Sequence, residues 1–290
     1  MRICWIHPTT QSTALAPLWD ALERTVTPGL SRDTVVEHRF PAHSGNFTRS
    51  LYAEHLNSVL MVDEATRAER DGFDGVFFGC WNDPLWEARE VLTIPVASVG
   101  EQSMLAALAM GQRFAVVTVS EKTAVAIERD LLLYGLRDRA IHRPVRSIAP
   151  ESDAALLLAA VSGAHDEAVS RIDAVARTCV ADGADIVLVG CAYYGPLLRR
   201  AGYTHVCGTG VPVIDSTTVA IKYLEAMVGV ARATGVVKTG GPIFRSPAPE
   251  RLAQARLALA VPVDGDSRER PSCGTRQAGK NADRNLCGGQ

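Results

Sequence analysis

Two Gly-Cys pairs are placed where cysteine chemistry is feasible. Cys80 follows the apolar run VFFG, and Cys191 follows the apolar run IVLVG. Ligands of parallel α/β sheets bind at the carboxyl ends of strands, and a helix N-terminus close by lowers the pKa of a thiol. A single buried cysteine is often only a small core residue, so a structural role is the alternative for each one taken alone.

The surroundings of the two cysteines are similar to each other. The segment DGFDGVFFGC (71–80) corresponds to ADGADIVLVGC (181–191), and IPVASVGEQSMLAAL (94–108) corresponds to VPVIDSTTVAIKYL (211–224). The order strand, Gly-Cys, loop, Pro-Val strand and helix thus occurs twice. Chance similarity between parallel strands is the alternative to a duplication. Two related halves that face each other would bring both thiols to one cleft.

Two opposed thiols suit inversion of a carbon next to a carbonyl. A thiolate on one face removes the proton, and a thiol on the other face delivers one, without a cofactor. Backbone N–H groups and hydroxyls would stabilise the enolate that develops. The glycine before each cysteine permits close approach of backbone or ligand. Asp83 and Pro84 predict the N-cap and first turn of the next helix.

Composition excludes several classes of protein. The chain has 290 residues, a formal net charge of -2 and 47% hydrophobic residues, which gives no electrostatic basis for binding nucleic acid or an anionic membrane. No apolar run reaches the roughly 18 residues of a membrane span. The N-terminal MRICWIHP enters a strand-like run and lacks the features of a signal peptide, so a cytoplasmic location is expected.

The seven cysteines are odd in number and include no CxxC pair, which argues against a disulfide framework and a zinc site. The GTG at 208–210 lacks the GxGxxG pattern of a dinucleotide site. We expect no metal and no cofactor, and a small molecule as the binding partner.

Short apolar runs alternate with longer helical patterns, which predicts an α/β fold with parallel strands. The predicted strands are 2–6, 34–40, 74–79, 94–99, 113–119, 185–190 and 211–215. The predicted helices are roughly 13–26, 50–71, 101–111, 120–135, 165–182 and 216–232. The polar loop HSGNFTRS (43–50) is interpreted as a surface loop, with contact of Asn46 or Arg49 with a ligand as the alternative.

These motifs resemble the aspartate/glutamate/hydantoin racemase superfamily, most closely its hydantoin and allantoin racemase branch. The resemblance covers roughly residues 1–235. The stretches that carry it are GCWNDPLWEAREVLTIPVASVGEQSMLAALAMGQRFAVVTVS (79–120), DIVLVGCA (185–192) and GVPVIDSTTVAIKYLEAMV (210–228). It implies a cofactor-independent homo-oligomer with Cys80 and Cys191 as the acid and base.

The resemblance also implies two pseudosymmetric, flavodoxin-like parallel-sheet lobes with the active site in the cleft between them. We assign residues 1–100 and 216–245 to the first lobe and 101–215 to the second. Residues 246–290 are a C-terminal extension, polar and glycine-rich near its end and expected to be largely disordered from about 265.

Further candidate residues are predicted to bind substrate. The family's loop after the RFAVVT strand holds substrate oxygens, which assigns that role to Thr118, Val119 and Ser120; a strand end and a helix cap are the structural alternative. His7 replaces an asparagine usual in the family and either contacts substrate or satisfies local backbone. The set is completed by residues beside the two cysteines: Trp81, Asn82, Ala192 and Tyr193.

The expected function is therefore a racemase or epimerase, with a hydantoin-like or related cyclic amide as substrate. Trp81, Tyr193 and Tyr194 depart from the family pattern and would reshape the pocket. The alternatives are a maleate-type cis–trans isomerase or other carbanion chemistry on a small acid, and a non-catalytic small-molecule-binding protein on the same scaffold. Arylmalonate decarboxylases keep only the second cysteine, so Cys80 argues against that activity.

Overall fold

The computed structural model describes residues 1–45, 49–81 and 83–258. The predictions for Asn46, for Asn82 and for the polar C-terminal tail with Cys273 and Cys287 lie outside the described residues. Residues 1–246 form one compact unit. Residues from 247 onwards form a second unit, whose described part contains one helix, Pro249–Ala258.

The first half of the chain builds a four-stranded parallel sheet. Its strands are β1 (Arg2–Ile6), β2 (Val35–Arg39), β3 (Gly75–Phe78) and β4 (Val96–Ser98), in the order β2-β1-β3-β4. The helices between and after these strands are α1 (Ala16–Val26), α2 (Leu51–Arg70), α3 (Leu85–Val91) and α4 (Val99–Ala107). The central strands β1 and β3 are almost wholly buried, as expected for a parallel sheet covered on both faces.

The second half builds a sheet with the same topology. Its strands are β5 (Phe114–Thr118), β6 (Ala140–Ser147), β7 (Ile186–Val189) and β8 (Val213–Ile214), in the order β6-β5-β7-β8. Its helices are α5 (Glu121–Leu133), α6 (Ala154–Ser162), α7 (Asp166–Ala181), α8 (Tyr194–Arg200) and α9 (Ser216–Thr234); the separate C-terminal helix is α10 (Pro249–Ala258).

The predicted duplication is confirmed by this topology. Each sheet has its first strand in the second position and its third strand beside it, and the Gly-Cys pairs directly follow the two third strands, β3 and β7. A short helix, α3 or α8, then precedes the Pro-Val strand in each half. The α/β fold with two parallel-sheet lobes is therefore the observed one.

One apolar core runs through both lobes. It includes Trp5 and Phe77 of the first sheet and Val116 and Leu188 of the second. Helix α9 packs on α4 and also contacts β3 and β4, so the last long helix of the compact unit returns to the first sheet. The assignment of residues 216–245 to the first lobe and of 101–215 to the second stays a prediction.

All seven predicted strands and all six predicted helices are present, with strand ends within two residues of the prediction. The helix expected after Pro84 is α3, whereas the sequence did not predict β6, α6, α8 or α10. Strand β6 contains Pro144, which has no backbone N–H to donate to a neighbouring strand. The proline is tolerated because β6 lies at the edge of the sheet and its register with β5 is irregular. Among the described helices, none combines the length and the apolarity needed to span a membrane.

Candidate active site

Both cysteines line one cavity of about 560 Å³ within residues 1–246. Residues 79–81 and 190–194 both line it, and each segment follows the third strand of its own sheet. Most of the remaining wall is apolar, and Cys80 and Cys191 are both partly exposed. The equivalent strand ends of the two lobes therefore meet at a single cleft.

A glycine at each strand end lets the third strand lie close to the first. A Cβ at Gly79 would lie 2.2 Å from Nε1 of Trp5, and a Cβ at Gly190 would lie 2.7 Å from Cγ1 of Val116. Neither distance is tolerable for a carbon atom, so both positions require glycine. In both lobes, the residue directly before the cysteine thus lies in close contact with the first strand of its sheet.

Cys80 lies in an acidic environment. Its backbone N–H donates a hydrogen bond to Oδ2 of Asp83 at 2.6 Å. Burial, followed by the charges of Asp83, Cys191 and Glu54, raises the pKa of the Cys80 thiol well above its usual value, while a hydrogen bond from the backbone of Trp81 opposes the rise. The surroundings of Cys80 therefore favour the protonated thiol.

Cys191 has neighbours that favour the thiolate. Burial raises its pKa, but backbone hydrogen bonds from Tyr194 and Tyr193 and the positive charge of Arg49 lower it. Donors and a cation surround this sulfur, whereas carboxyl groups surround Cys80. The two thiols are thus equivalent in topology and different in electrostatics.

Aromatic side chains shape the cavity beside the thiols. Trp81 is only 1% exposed, and the edge of Tyr193 contacts Trp19 with ring centroids 5.5 Å apart. The hydroxyl of Tyr194 hydrogen-bonds to Oγ of Ser152 at 2.8 Å, which joins the start of α8 to the segment after β6. These two contacts fix Tyr193 and Tyr194 in the wall of the cavity that holds both thiols.

Most of the residues predicted from the sequence line this cavity. They are Cys80, Trp81, Val119, Cys191, Ala192 and Tyr193. Three others, His7, Thr118 and Ser120, do not line it, and each is almost fully buried. The prediction for Asn82 lies outside the described residues.

His7 lies in an aromatic cluster. It is fully buried, its ring stacks on Phe40 at 4.6 Å between centroids, and its Nε2 lies 2.8 Å from Nδ1 of His38. Burial, followed by the charge of His38, lowers the pKa of His7, so the imidazole is neutral. Its backbone N–H bonds to the carbonyl of Arg39. These contacts support the local structural alternative given above.

Thr118 and Ser120 support the strand end and the following helix. Oγ1 of Thr118 donates to the carbonyl of Gly190 at 2.7 Å, which connects β5 to the residue that precedes Cys191. Oγ of Ser120 accepts from the backbone N–H of Thr123 and caps α5. Of this loop, only the intervening Val119 lines the cavity.

The expected role of Asp83 as a helix N-cap is wrong. Helix α3 begins at Leu85, its N-cap is Pro84, and no side chain caps it. The carboxyl group of Asp83 instead accepts the N–H of Cys80, a donor that β3 leaves unpaired where the strand ends. This bond places a carboxyl group beside the thiol.

Three charged residues that line the cavity were not assigned to the site from the sequence: Arg49, Glu54 and Asp153. Arg49, from the loop interpreted as a surface segment, lies at the cavity, donates to the carbonyl of Ser152 and lies 3.3 Å from Glu151. Because Arg49 precedes α2 and Ser152 follows β6, this contact crosses the cleft. Glu54 on α2 also lines the cavity. Their spacing along the chain gives no signal, since only the fold brings them to the cysteines.

Within the part of the chain that the structure describes, no group of three or more His, Cys, Asp or Glu side chains is arranged to hold a metal ion. The two thiols and the carboxyl group of Glu54 line the cavity, and the carboxyl group of Asp83 lies beside Cys80; these groups can move protons. Opposed thiols at a shared cavity can remove and deliver a proton at one carbon atom.

Comparison with known proteins gives consistent results. Residues 10–224 match the model of the Asp/Glu/hydantoin racemase family. The chain is 27% identical over 246 residues to the hydantoin racemase of Pseudomonas sp. (strain NS671), covering 82% of this chain and 90% of that protein. It is 32% identical over 194 residues to the hydantoin racemase of Rhizobium meliloti, covering 64% of this chain and 73% of that protein.

The fold is also that of a solved structure. The allantoin racemase from Pseudomonas fluorescens superposes with a TM-score of 0.70 at 22% sequence identity, covering 86% of this chain and 98% of the other. Since the family model spans most of the chain, the family assignment is firm. The chain belongs to the Asp/Glu/hydantoin racemase family and is an isomerase of the racemase type.

Proposed function

We propose that the protein inverts a carbon atom next to a carbonyl in a hydantoin-like cyclic amide, with Cys80 and Cys191 as the opposed acid and base and without a cofactor. The observation that carries this proposal is that both thiols line one cavity, at equivalent ends of β3 and β7. Two structural cysteines would have no reason to share a cleft at matching positions of both lobes.

The electrostatics make one thiol easier to ionise than the other. Burial raises the pKa of Cys191, but two backbone hydrogen bonds and the charge of Arg49 partly oppose the rise, so Cys191 is the thiol that more readily becomes the thiolate and takes the first proton. Cys80 faces Asp83 and Glu54, so it is the thiol that gives one. For the opposite enantiomer the protonation states are exchanged. The arrangement is that of general acid and general base on opposite faces of one carbon.

Cationic and hydroxyl groups of the cavity are suited to the oxygen atoms of the substrate. Arg49 and the threonines Thr9, Thr10 and Thr123 line the cavity in addition to the thiols. Donors directed at the enolate oxygen stabilise the charge that develops when the Cα proton leaves. Arg49 is the strongest of these candidates because its guanidinium is always charged.

Two observations support a cyclic amide as the substrate class. The two curated relatives described above are named hydantoin racemases, and the solved structure with the same fold is named an allantoin racemase. The mostly apolar wall with its aromatic groups suits a flat, neutral ring better than a small dianion. Assembly into a homo-oligomer and a cytoplasmic location stay predictions.

The substrate class is tested by following optical rotation with single enantiomers of 5-methylhydantoin, 5-benzylhydantoin, allantoin and aspartate. Maleate is followed in parallel by NMR, because neither maleate nor its trans isomer is optically active. We expect loss of rotation with at least one cyclic amide and no change with either diacid. Cys207→Ser is the matched control, because Cys207 is exposed and does not line the cavity. Conversion of maleate or aspartate, with every cyclic amide unchanged, would overturn the proposed substrate class.

A further inference from the structure

A second, small cavity adjoins Cys80. It has a volume of about 20 Å³, and its polar lining consists of Glu54, Asn57, Ser58, Cys80 and Asp83. That volume is about the space that one water molecule requires, and a polar lining is what such a water needs. The Cys80 side chain and the carboxyl residues Glu54 and Asp83 therefore share a small cavity that is separate from the main one.

Glu54 and Asp83 also line a third pocket, called the outer pocket below. This outer pocket has a volume of about 370 Å³ and includes Glu54, Asp83, Arg129 and Tyr134 in its lining. Glu54 lines the main cavity, the small cavity and the outer pocket, and Asp83 lines the small cavity and the outer pocket. Glu54 and Asp83 thus connect the surroundings of Cys80 with a pocket that the substrate does not need to occupy.

Burial raises the pKa of both carboxyl groups. It raises the pKa of Asp83 to about 8, with the charges of Glu54 and Asp130 adding to the rise and the Cys80 N–H opposing it. Burial also raises the pKa of Glu54, against the charges of Arg129 and Lys122 from α5. With a pKa of about 8, the Asp83 carboxyl group can both give and accept a proton near neutral pH.

The proposed reaction creates a need for this exchange. Each inversion that Cys191 begins leaves Cys191 protonated and Cys80 as the thiolate. Before the next molecule of the same enantiomer can react, Cys80 must regain a proton and Cys191 must lose one. A path outside the main cavity would let Cys80 exchange its proton with solvent even while substrate or product occupies that cavity.

We propose that Glu54 and Asp83 form a proton-exchange route between the Cys80 thiol and solvent, through the small cavity and the outer pocket. This proposal rests on the proposed function. Asp83, as the carboxylic acid, gives its proton to the Cys80 thiolate, so an O–H bond breaks and an S–H bond forms. Glu54 returns a proton to the Asp83 carboxylate, and water in the outer pocket returns one to Glu54. Loss of a proton from Cys80 follows the reverse order.

The route predicts a difference between the two enantiomers in D₂O. When Cys80 is the base, the proton that it takes exchanges with solvent while substrate is bound, so return to the starting enantiomer places deuterium in unreacted substrate. Cys191 does not line the small cavity or the outer pocket, so when it is the base its proton does not exchange by this route, and unreacted substrate is expected to stay protonated. The quantity to measure is deuterium in unreacted substrate relative to deuterium in product, at low conversion, by NMR.

The test compares Glu54→Gln and Asp83→Asn with the wild type, using each enantiomer of a hydantoin that the wild type racemises. We expect each substitution to lower the ratio about tenfold or more for the enantiomer that Cys80 deprotonates, the scale of a lost proton-transfer group. The ratio for the other enantiomer is expected to be unchanged. Glu87→Gln is the matched control, because Glu87 lines only the outer pocket, and it is expected to leave both ratios unchanged.

Glu54→Asp keeps a carboxyl group and is expected to restore part of the exchange, which separates proton transfer from a folding defect. A ratio that stays the same in both Glu54→Gln and Asp83→Asn would overturn the route, as would an equal reduction for both enantiomers. Inversion by the wild type without deuterium in either unreacted enantiomer would overturn the route and leave the proposed function intact. Absence of inversion with every cyclic amide would overturn both.

Discussion

Cys80 and Cys191 occupy equivalent strand ends but have different neighbours. Asp83 and Glu54 raise the pKa of Cys80 in addition to burial, whereas Arg49 and two backbone N–H groups lower that of Cys191. Burial raises the pKa of both thiols, and the asymmetry leaves Cys191 the more readily ionised of the two. It follows that the two enantiomers will respond differently to pH and to changes in the neighbouring charges.

The first residue-scale prediction concerns pH. Since burial raises the pKa of Cys191 above its usual value, only a small fraction is thiolate at neutral pH, and that fraction grows as pH rises. For the enantiomer that Cys191 deprotonates, kcat/KM is expected to rise with pH between 6 and 9, by up to about tenfold per unit for one ionisation. Initial rates from polarimetry provide the measurement. A profile that is flat or falling over this range would contradict the assignment.

The second residue-scale prediction concerns the Asp83 carboxyl group. Its negative charge raises the pKa of Cys80, so Asp83→Asn should lower that pKa and increase the thiolate fraction. We expect alkylation of Cys80 by iodoacetamide at pH 9, where Asp83 of the wild type is mostly ionised, to become roughly three- to tenfold faster, which corresponds to a pKa decrease of about 0.5 to 1 unit. Peptide mass spectrometry resolves each cysteine. Exposed Cys207 serves as the internal control, and slower alkylation of Cys80 would refute the effect.

At the scale of elements, the position of each cysteine depends on a close contact between the first and third strands of its sheet. A Cβ at Gly190 would meet Val116 at 2.7 Å and Thr118 at 2.9 Å. Thr118 also holds the carbonyl of Gly190, so a displaced β7 would carry Cys191 away from the cavity. The packing of β5 on β7 is therefore coupled to the catalytic geometry.

Gly190→Ala tests this coupling. We expect it to lower the free energy of unfolding by about 1 to 3 kcal/mol, the usual cost of overpacking, and to lower kcat more than it raises KM. Urea denaturation and steady-state kinetics supply the two measurements. Gly210→Ala is the control, because a Cβ there has no atom within 4 Å. Equal effects of the two substitutions would show that the contact does not position Cys191.

The strands and long helices could be predicted because their local patterns agree with the fold. Apolar runs such as FAVVT (114–118) are buried on both faces of a covered sheet, and the Gly-Cys repeat identifies the third strand of each lobe. Strand β6 was missed because HRPVRS, with its proline and charges, does not have the apolar pattern of a central strand. It is an edge strand and needs less apolar surface.

The candidate site was predictable only in part. The cysteines and their sequence neighbours are marked by the repeat, but Arg49, Glu54 and Ser152 reach the cavity through long-range packing. The side chain of Asp83 was assigned to the wrong partner because an N-cap and a bond back to the residue three positions earlier have the same local sequence signal. His7 was not distinguishable from a ligand-binding residue until its aromatic neighbours were known.

At the scale of the whole molecule, the two sheets and every residue that lines the main cavity lie within residues 1–246. The family match ends at residue 224, before the second unit begins. A chain truncated after Ser246 is therefore expected to fold and to keep kcat/KM within about threefold of the full chain, because it retains both sheets and the described lining of the main cavity. Thermal unfolding and racemisation rates measure this. A loss of activity beyond about tenfold would assign a functional role to residues 247–290.

The central claim is that two cysteines on opposite faces carry the proton, and isotope transfer tests it most directly. Single enantiomers of a hydantoin that the wild type racemises are incubated separately in D₂O. The proteins compared are the wild type, Cys80→Ser, Cys191→Ser and the control Cys207→Ser. Deuterium at Cα and optical rotation are followed together. We expect the wild type and Cys207→Ser to form inverted product carrying deuterium. In Cys80→Ser and Cys191→Ser the rate of inversion should fall by at least about 10²-fold, the scale of a lost acid–base group. Exchange of the Cα proton for deuterium should remain for at most one of the two enantiomers. Inversion at the wild-type rate in either Cys80→Ser or Cys191→Ser would contradict the account.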